Sequence, residues 1–156
     1  MTAIEAKESH PEGLFFPDTY VYEPGDSDVL IYQRAYKAMS KKLTEAWEQR
    51  EKDSPVKTPY DLLKLASIVE KETGHSEDRG LVSAVFNNRL KTGMKLQTDP
   101  TVIYGLGDRF DGDLRKKDLL KDGPYNSYTR YGLPPTPIAM PGKDALLAAA
   151  KPSSSK

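Results

Sequence analysis

The spacing of apolar residues in the first half of the chain constrains the fold most strongly. Between Ser27 and Glu51 they recur at steps of three and four, which is the period of a helix with one buried face. The positions are Val29, Tyr32, Tyr36, Met39, Leu43 and Trp47. Because the residues between them are largely charged or polar, this stretch predicts an amphipathic helix that packs on a core along one side.

A pair of shorter helices is predicted within residues 58–92. Thr58, followed by proline, is typical of a helix start, because threonine caps free amides and proline fits the first turn. Gly74 is the predicted end of the first helix, and Ser76 is the predicted start of the second, which ends before Gly93. The predicted buried stripe of the second helix consists of Leu81, Val82, Val85, Phe86 and Leu90.

The second half of the chain is predicted to be mostly irregular. Residues 94–98 alternate weakly, as in a short strand, and Asp99 before a proline indicates an N-capped short helix. Most glycines and prolines fall in residues 105–142, a loop-rich stretch of the kind in which binding residues often lie. A short Ala/Leu helix over residues 143–150 and a polar tail over residues 151–156 follow. No internal repeat is found.

Composition excludes several classes of function. The 23 lysines and arginines balance 23 aspartates and glutamates, so the chain has no excess of positive charge to attract a phosphate backbone. Binding of nucleic acid is therefore not expected. The absence of cysteine excludes thiolate chemistry and disulfides. His10 and His75 lack the neighbours of a metal site, so no metal or cofactor is expected. No run of about 18 apolar residues and no secretion signal is found, and the chain is expected to be soluble.

Two glutamates of the first helix in this pair are candidates for acid–base chemistry. Glu70 and Glu72 are two positions apart, and so about 200° apart around the helix axis. Each lies at one border of the apolar side, on opposite flanks. Partial desolvation there would raise a carboxyl pKa toward the range of a general acid. The periodicity does not choose between them, and the alternative is that both are solvated flank residues.

A third carboxylate and a group of sugar-compatible side chains lie further along the chain. Asp99 would suit a glycosidase with two carboxylates, but its position before a proline equally fits an N-cap. Aromatic, amide and hydroxyl groups that can stack on and bind a sugar are present at Gln97 and Thr98 and over residues 125–129. They predict a carbohydrate cleft, with structural tyrosines as the alternative.

Five stretches resemble, in order, the YceG-like family of endolytic murein transglycosylases. They are EGLFFPDTY at residues 12–20, LASIVEKET at 65–73, VFNNRLKTGMKLQTDPTVIYGLG at 85–107, YNSYTRYGLPPTPIAMPG at 125–142, and AAAKP ending at 152. Each is weak alone, but five ordered blocks at natural spacing are specific. The resemblance covers nearly the whole chain.

The resemblance implies cleavage of the β-1,4 bond between N-acetylmuramic acid and N-acetylglucosamine inside peptidoglycan strands, leaving a 1,6-anhydro-muramyl end. One glutamic acid would protonate the leaving oxygen and then accept the proton of the muramyl 6-hydroxyl. The EKET block assigns this role to Glu72 and leaves Glu70 as a supporting residue. The same alignment implies that the groove is lined or braced by Asn88, Gln97, Thr98, Asp99, Tyr125 and Asn126.

The resemblance also implies an α+β fold over residues 1–150, with a mostly helical, lysozyme-like catalytic core, short β-strands and a long loop-rich segment. Family members usually carry a membrane anchor and a LysM-like region before this part, and a Gly-Gly-His-Thr-Phe-like motif after it. Neither is in this sequence. The full-length protein is expected at the outer, periplasmic face of the cytoplasmic membrane, held only by that anchor and acting beside peptidoglycan synthases.

Two alternatives to the transglycosylase remain open. One is a non-catalytic module that binds peptidoglycan or acts as a scaffold. The other is a hydrolytic muramidase that uses Glu72 with Asp99 and water. The chemical ends of the products distinguish all three hypotheses, because only the transglycosylase leaves anhydro ends and only the muramidase leaves reducing muramic acid ends.

Overall fold

The part of the chain that the computed structural model describes, residues 28–73 and 78–152, is built from helices and irregular segments. The helices are α1 (Asp28–Glu48), α2 (Pro59–Glu72), α3 (Arg79–Thr92), α4 (Asp99–Leu106), α5 (Lys116–Leu120) and α6 (Lys143–Ala150), with a 3-10 turn at Gly107–Arg109. The expectation of a mostly helical fold is confirmed. None of the described helices combines the length and the apolar character needed to cross a membrane.

The core is centred on α2, which is buried along most of its length. Its fully buried apolar side chains are Leu62, Leu63, Leu65, Ala66, Ile68 and Val69. The alanine-rich helix α6 packs along α2, and α1 and α3 close the core through Met39 and Phe86. Full burial of each leucine or isoleucine contributes about 1.5–3 kcal/mol, so α2 is held firmly and its C-terminal end has a fixed position.

The start of α2 and the end of α3 lie at the residues predicted to form them. The Thr58 hydroxyl accepts a hydrogen bond from the Asp61 amide at 3.1 Å, and Pro59 begins the helix. At the other end, Thr73 is the C-cap and its amide donates to the Val69 carbonyl. Gly93 ends α3 with φ of +74°, a left-handed conformation that glycine adopts without a steric cost.

The predicted buried stripe of α3 is partly wrong. Leu81 and Val85 are 48% and 45% exposed, whereas the buried face includes Ser83 and Asn87. The Ser83 hydroxyl donates to a carbonyl in the last turn of α6 at 2.6 Å, and the Asn87 amide donates to the next carbonyl at 3.4 Å. These carbonyls lack partners within their own helix. The face of α3 that meets α6 is therefore polar, which apolar periodicity does not detect.

The strand predicted at residues 94–98 is also wrong, and no strand is found in residues 28–73 and 78–152. The segment is irregular, and it is tied to the chain opposite by one backbone bond, from the Gln97 amide to the Ser127 carbonyl at 3.1 Å. The alternation of side chains that suggested a strand reflects burial against the core, because Leu96 and Thr98 are buried while Gln97 is exposed. The β component of the expected α+β class therefore has no counterpart in these residues.

The loop-rich character of residues 105–142 is confirmed, because after the last two residues of α4 only the 3-10 turn and the five-residue α5 interrupt it. The predicted helix over residues 143–150 is confirmed as α6. Other predictions fall outside the described residues. They are the family block at residues 12–20, the helix end at Gly74 and start at Ser76, the positions of His10 and His75, and the last four residues of the tail.

Candidate active site

Glu72 is the last residue of α2, at the point where the helix leaves the core. Although its side chain is exposed, burial of the carboxyl by its neighbours raises its pKa above the ordinary value of 4.5, and the charge of Asp99 raises it further. The Thr98 hydroxyl and the Arg89 guanidinium act in the opposite direction. The net upward shift keeps part of the carboxyl protonated at higher pH, as a general acid requires.

Asp99 is the first residue of α4, and the N-cap is Thr98. The predicted capping role of Asp99 is therefore wrong, because the helix starts one residue earlier than the sequence pattern indicated. The Asp99 carboxylate instead accepts a hydrogen bond from the Tyr128 hydroxyl. Burial and this contact with Asp99 raise the pKa of Tyr128 to about 12, so the phenol remains a neutral donor at physiological pH.

Arg89 of α3 supplies the positive charge that lowers the pKa of Glu72. One nitrogen of its guanidinium group donates to the Leu96 carbonyl, in the segment that connects α3 to α4. That bond limits the freedom of a long side chain, and the charge it holds lowers the pKa of Glu72. Three elements, α2, α3 and the start of α4, thus contribute charged groups to one place.

Ser127 holds the residues that precede Asp99. Its hydroxyl accepts from the Thr98 amide at 2.9 Å and donates to the Thr98 carbonyl at 3.0 Å. The Thr101 hydroxyl lies 2.8 Å from the same oxygen. Gln97 has φ of +54°, a conformation that costs about 1–2 kcal/mol for a residue with a Cβ. The bonds from Ser127 stabilise this turn against that cost.

Asn126 is a brace of the loop that carries Ser127 and Tyr128. Its side chain is buried, and its amide nitrogen donates to the carbonyls of Lys121 and Leu119 at 2.7 and 3.0 Å. Its amide oxygen accepts from the Tyr128 amide at 2.8 Å. All these bonds are internal, so Asn126 shapes the loop from beneath.

Tyr125 packs between the loop and α4. Its ring centroid lies 5.0 Å from that of Tyr104 with a tilt of 55°, and its hydroxyl lies 2.7 Å from the Thr136 hydroxyl. A Cβ atom added at Gly105 would lie only 2.9 Å from the Cβ of Tyr125, so this glycine permits the close approach. Tyr125 is therefore engaged in packing.

Glu70 lies on the other flank of α2, as its angular separation from Glu72 requires. Its carboxylate accepts from the Gly142 amide at 2.7 Å, at the start of α6, and its other oxygen lies 3.9 Å from Arg79. Gly142 is the N-cap of α6, so Glu70 supplies an acceptor and a negative charge at a helix N-terminus. These contacts join α2, α3 and α6.

The structure brings together around Glu72 only some of the residues nominated from the sequence. Thr98 and Asp99 are beside it, and Gln97 is exposed next to them. Asn88 is exposed on α3. A depression of ≈ 410 Å³ borders the site on the side of α4. It is lined by Lys71, Pro100, Ile103, Tyr104 and Ile138.

Sequence reasoning missed the roles of Arg89, Ser127 and Tyr128. The segment that contains Ser127 and Tyr128 has sugar-compatible side chains, but nothing in the sequence pairs Tyr128 with Asp99 or Ser127 with Thr98. Each pair is separated by 29 positions. The helical and strand periodicities in a sequence relate residues two to four positions apart and give no signal at a separation of 29. Arg89 has only the features of an ordinary basic residue in the last turn of a helix.

Comparisons with known proteins agree on one family. The model of the YceG-like family matches residues 2–156. A protein of Bacillus subtilis named endolytic murein transglycosylase is 40% identical over 144 residues, which are 92% of this chain and 39% of that protein. A protein of the same name from Streptococcus pneumoniae D39 is 34% identical over 139 residues, 86% of this chain and 25% of its own length.

A solved structure is similar as well. The crystal structure of a YceG-like protein from Listeria monocytogenes superposes with a TM-score of 0.81 at 36% identity. The superposition covers 99% of this chain and 51% of that one. The chain therefore spans about half of this structure and well under half of the two relatives named above.

Proposed function

The chain belongs to the YceG-like family, and we propose that it carries the catalytic glutamate of an endolytic murein transglycosylase. The observation that supports this most directly is the environment of Glu72, an accessible carboxyl whose pKa is raised by burial and by Asp99. The other glutamate of the pair is bonded to the start of α6, and this favours Glu72 as the acid.

In the proposed reaction the protonated Glu72 gives its proton to the oxygen that leaves N-acetylmuramic acid. The resulting carboxylate then accepts the proton of the muramyl 6-hydroxyl as that oxygen bonds to C1, and a 1,6-anhydro end forms without water. One residue serves as acid and then as base, so its pKa has to lie near the working pH. Burial and Asp99 shift the Glu72 pKa in that direction.

The neighbouring residues have supporting parts in this proposal. Gln97 is exposed beside Thr98 and can offer its amide to the sugar, while Asn88 lies exposed on α3. Tyr125 and Asn126 support the groove from beneath, since their polar groups bond within the protein. A lysozyme-like arrangement around the glutamate belongs to the same proposal.

The setting of the full-length protein is also proposed. We expect an N-terminal anchor to hold it at the outer face of the cytoplasmic membrane, where peptidoglycan strands are its substrate and peptidoglycan synthases are its neighbours. The names of the relatives support the substrate, because murein is the polymer named for both.

A hydrolytic muramidase is the second candidate, and the proximity of Asp99 to Glu72 favours it. The charge of Asp99 acts on the Glu72 carboxyl, so two carboxyl groups face the same site, as in glycosidases that use water or a carboxylate nucleophile. The bond from Tyr128 occupies one oxygen of Asp99 and leaves the other for a water molecule.

The test is digestion of purified peptidoglycan by the chain and by two matched variants, Glu72→Gln and Glu70→Gln, with product ends identified by mass spectrometry. We expect anhydro-muramyl ends from the wild type and from Glu70→Gln, and none from Glu72→Gln. Reducing muramic acid ends would identify the muramidase. Activity retained in a folded Glu72→Gln variant overturns the assignment, and binding without cleavage by the wild type identifies a non-catalytic module.

A further inference from the structure

We propose that Ser127 is a positioning residue of this site, whose hydroxyl fixes the Thr98 peptide so that the Thr98 side chain faces the Glu72 carboxyl. This inference rests on the proposed function of Glu72 and deepens it. Ser127 does not touch the reacting atoms in this scheme and acts entirely through Thr98.

The side chain of Ser127 is buried, and its hydrogen bonds in the described chain all lie within the protein. A serine hydroxyl has one donor and two acceptor sites. Ser127 accepts from the Thr98 amide and donates to the Thr98 carbonyl, and the Thr101 hydroxyl lies 2.8 Å from Ser127 Oγ and 2.9 Å from the same carbonyl. One side chain thus binds both polar groups of a single residue, which fixes the rotation of that part of the backbone.

The turn that Ser127 holds is strained, which explains why it needs such support. Gln97 has a positive φ, and its amide donates to the Ser127 carbonyl at 3.1 Å. With the two bonds between the Ser127 hydroxyl and Thr98, three hydrogen bonds between Ser127 and this turn hold it in place. Without them Gln97 is expected to return to negative φ, because the steric cost of its positive φ would no longer be offset.

The Thr98 hydroxyl is the group that this turn presents. Thr98 is 1% exposed, and its Oγ1 has no hydrogen-bond partner within the described ranges. A buried hydroxyl without a partner is destabilising, because it has lost its hydrogen bonds to water. It lies close enough to lower the pKa of the Glu72 carboxyl, though not at the geometry of a formed bond. Such contacts often tighten only when substrate is bound.

The chemical role follows from the two states of Glu72. A hydroxyl donor stabilises the carboxylate, which forms after the first proton transfer, more than it stabilises the neutral acid. Thr98 therefore moderates the upward shift caused by burial and Asp99. The other charged or titratable groups that face Glu72 in the described chain are Asp99 of α4, Arg89 of α3 and Tyr128 of the loop. The variants below leave all three unchanged.

The test is a carbon-13 NMR titration of the Glu72 carboxyl in the 156-residue chain, without substrate. Thr98→Val removes the hydroxyl with little change of shape, and it breaks no formed hydrogen bond. We expect this variant and Ser127→Ala to shift the titration midpoint of Glu72 upward. The double variant should match Thr98→Val alone, because Ser127 acts through Thr98. Thr98→Ser, which keeps a hydroxyl, should restore the wild-type midpoint.

Thr129→Ala is the matched control. It removes a hydroxyl from the same loop whose partners among the described residues are Asp122 and the Asn126 carbonyl. It should leave the midpoint unchanged. A folded Ser127→Ala variant with the wild-type midpoint, or a shift that adds to that of Thr98→Val, overturns the proposal. If Ser127→Ala does not fold, Thr98→Val still tests the proposal. An unchanged Glu72 midpoint in that variant would mean that the Thr98 hydroxyl has no effect on Glu72, and Ser127 could then not act through it.

Kinetics supply the second readout. With peptidoglycan as substrate, Ser127→Ala should lower kcat by about tenfold to a hundredfold with KM nearly unchanged. The titration uses no substrate, so an inactive chain with shifted midpoints contradicts the transglycosylase and supports the Ser127 role. Active variants with unshifted midpoints contradict only the Ser127 role.

Discussion

The Tyr128 hydroxyl donates a hydrogen bond to Oδ1 of Asp99, and this contact joins the loop before α6 to the first residue of α4. It fixes the position of a negative charge beside Glu72. Since that charge raises the pKa of Glu72, the loop that carries Tyr128 influences the acid strength of a residue on α2.

Removal of the Asp99 charge should weaken this effect. Asp99→Asn is expected to lower the pKa of Glu72, because the carboxylate no longer opposes ionisation of its neighbour. If Glu72 is the acid, activity should then be lost at lower pH than in the wild type. An NMR titration of Glu72 and the pH dependence of kcat check both points. Asp113→Asn, an exposed aspartate before α5, is the control, and an equal shift there would contradict the prediction.

Replacement of Glu72 should stabilise the protein at neutral pH. Its pKa is raised in the folded state, so its ionised form is disfavoured there, and stability is lost as pH rises through the interval from about 4.5 to the raised value. Glu72→Gln should therefore increase the free energy of unfolding at pH 7, by less than about 1 kcal/mol because the side chain is exposed. Urea unfolding at pH 7 and pH 4 measures this, and the gain should shrink at pH 4. A destabilised variant at pH 7 would contradict the argument.

Glu70 should matter for stability and not for the titration of Glu72. Glu70→Ala removes the acceptor for the Gly142 amide and the ion pair with Arg79, and we expect a loss of about 1–2 kcal/mol. Glu70→Gln keeps an oxygen for the amide and should cost less. Thermal unfolding ranks the two variants. A larger loss of stability in Glu70→Gln than in Glu70→Ala would contradict the role of the Gly142 bond. A changed titration midpoint of Glu72 in either variant would show that Glu70 belongs to the site.

Asn126 should be a large contributor to the stability of the loop. Asn126→Ala leaves the carbonyls of Lys121 and Leu119 and the Tyr128 amide without their partner, and a loss of about 2–3 kcal/mol is expected. Asn88→Ala is the matched control, because this exposed asparagine should change stability by less than about 0.5 kcal/mol. Urea unfolding compares them, and equal effects would contradict the bracing role.

Local rules of sequence predicted the helices well and the site only in part. Thr58, Pro59 and Gly93 act through the backbone next to them, so α2 and α3 could be located from the chain itself. The α3 stripe failed because Ser83 and Asn87 bond to α6, and a polar contact of this kind leaves no apolar signal.

The site depends on contacts between distant residues, and this explains the remaining failures. Helical periodicity placed Glu70 and Glu72 on opposite flanks, but only their partners, the Gly142 amide for one and the Asp99 charge for the other, separate their roles. The apparent strand at residues 94–98 arose from the burial of alternate residues against the core, without any partner strand in the described chain.

The bonds between Ser127 and Thr98 also bear on local opening of the site. Helix α2 is held by a fully buried face, whereas these bonds join two segments that are 29 positions apart across an irregular region. Local opening is easiest where few buried apolar contacts hold a segment, so Glu72 can keep its place on α2 while the groups that adjust its acidity move away. The Thr98 amide donates to Ser127, and its hydrogen-exchange rate therefore reports how often the site opens while the core stays closed.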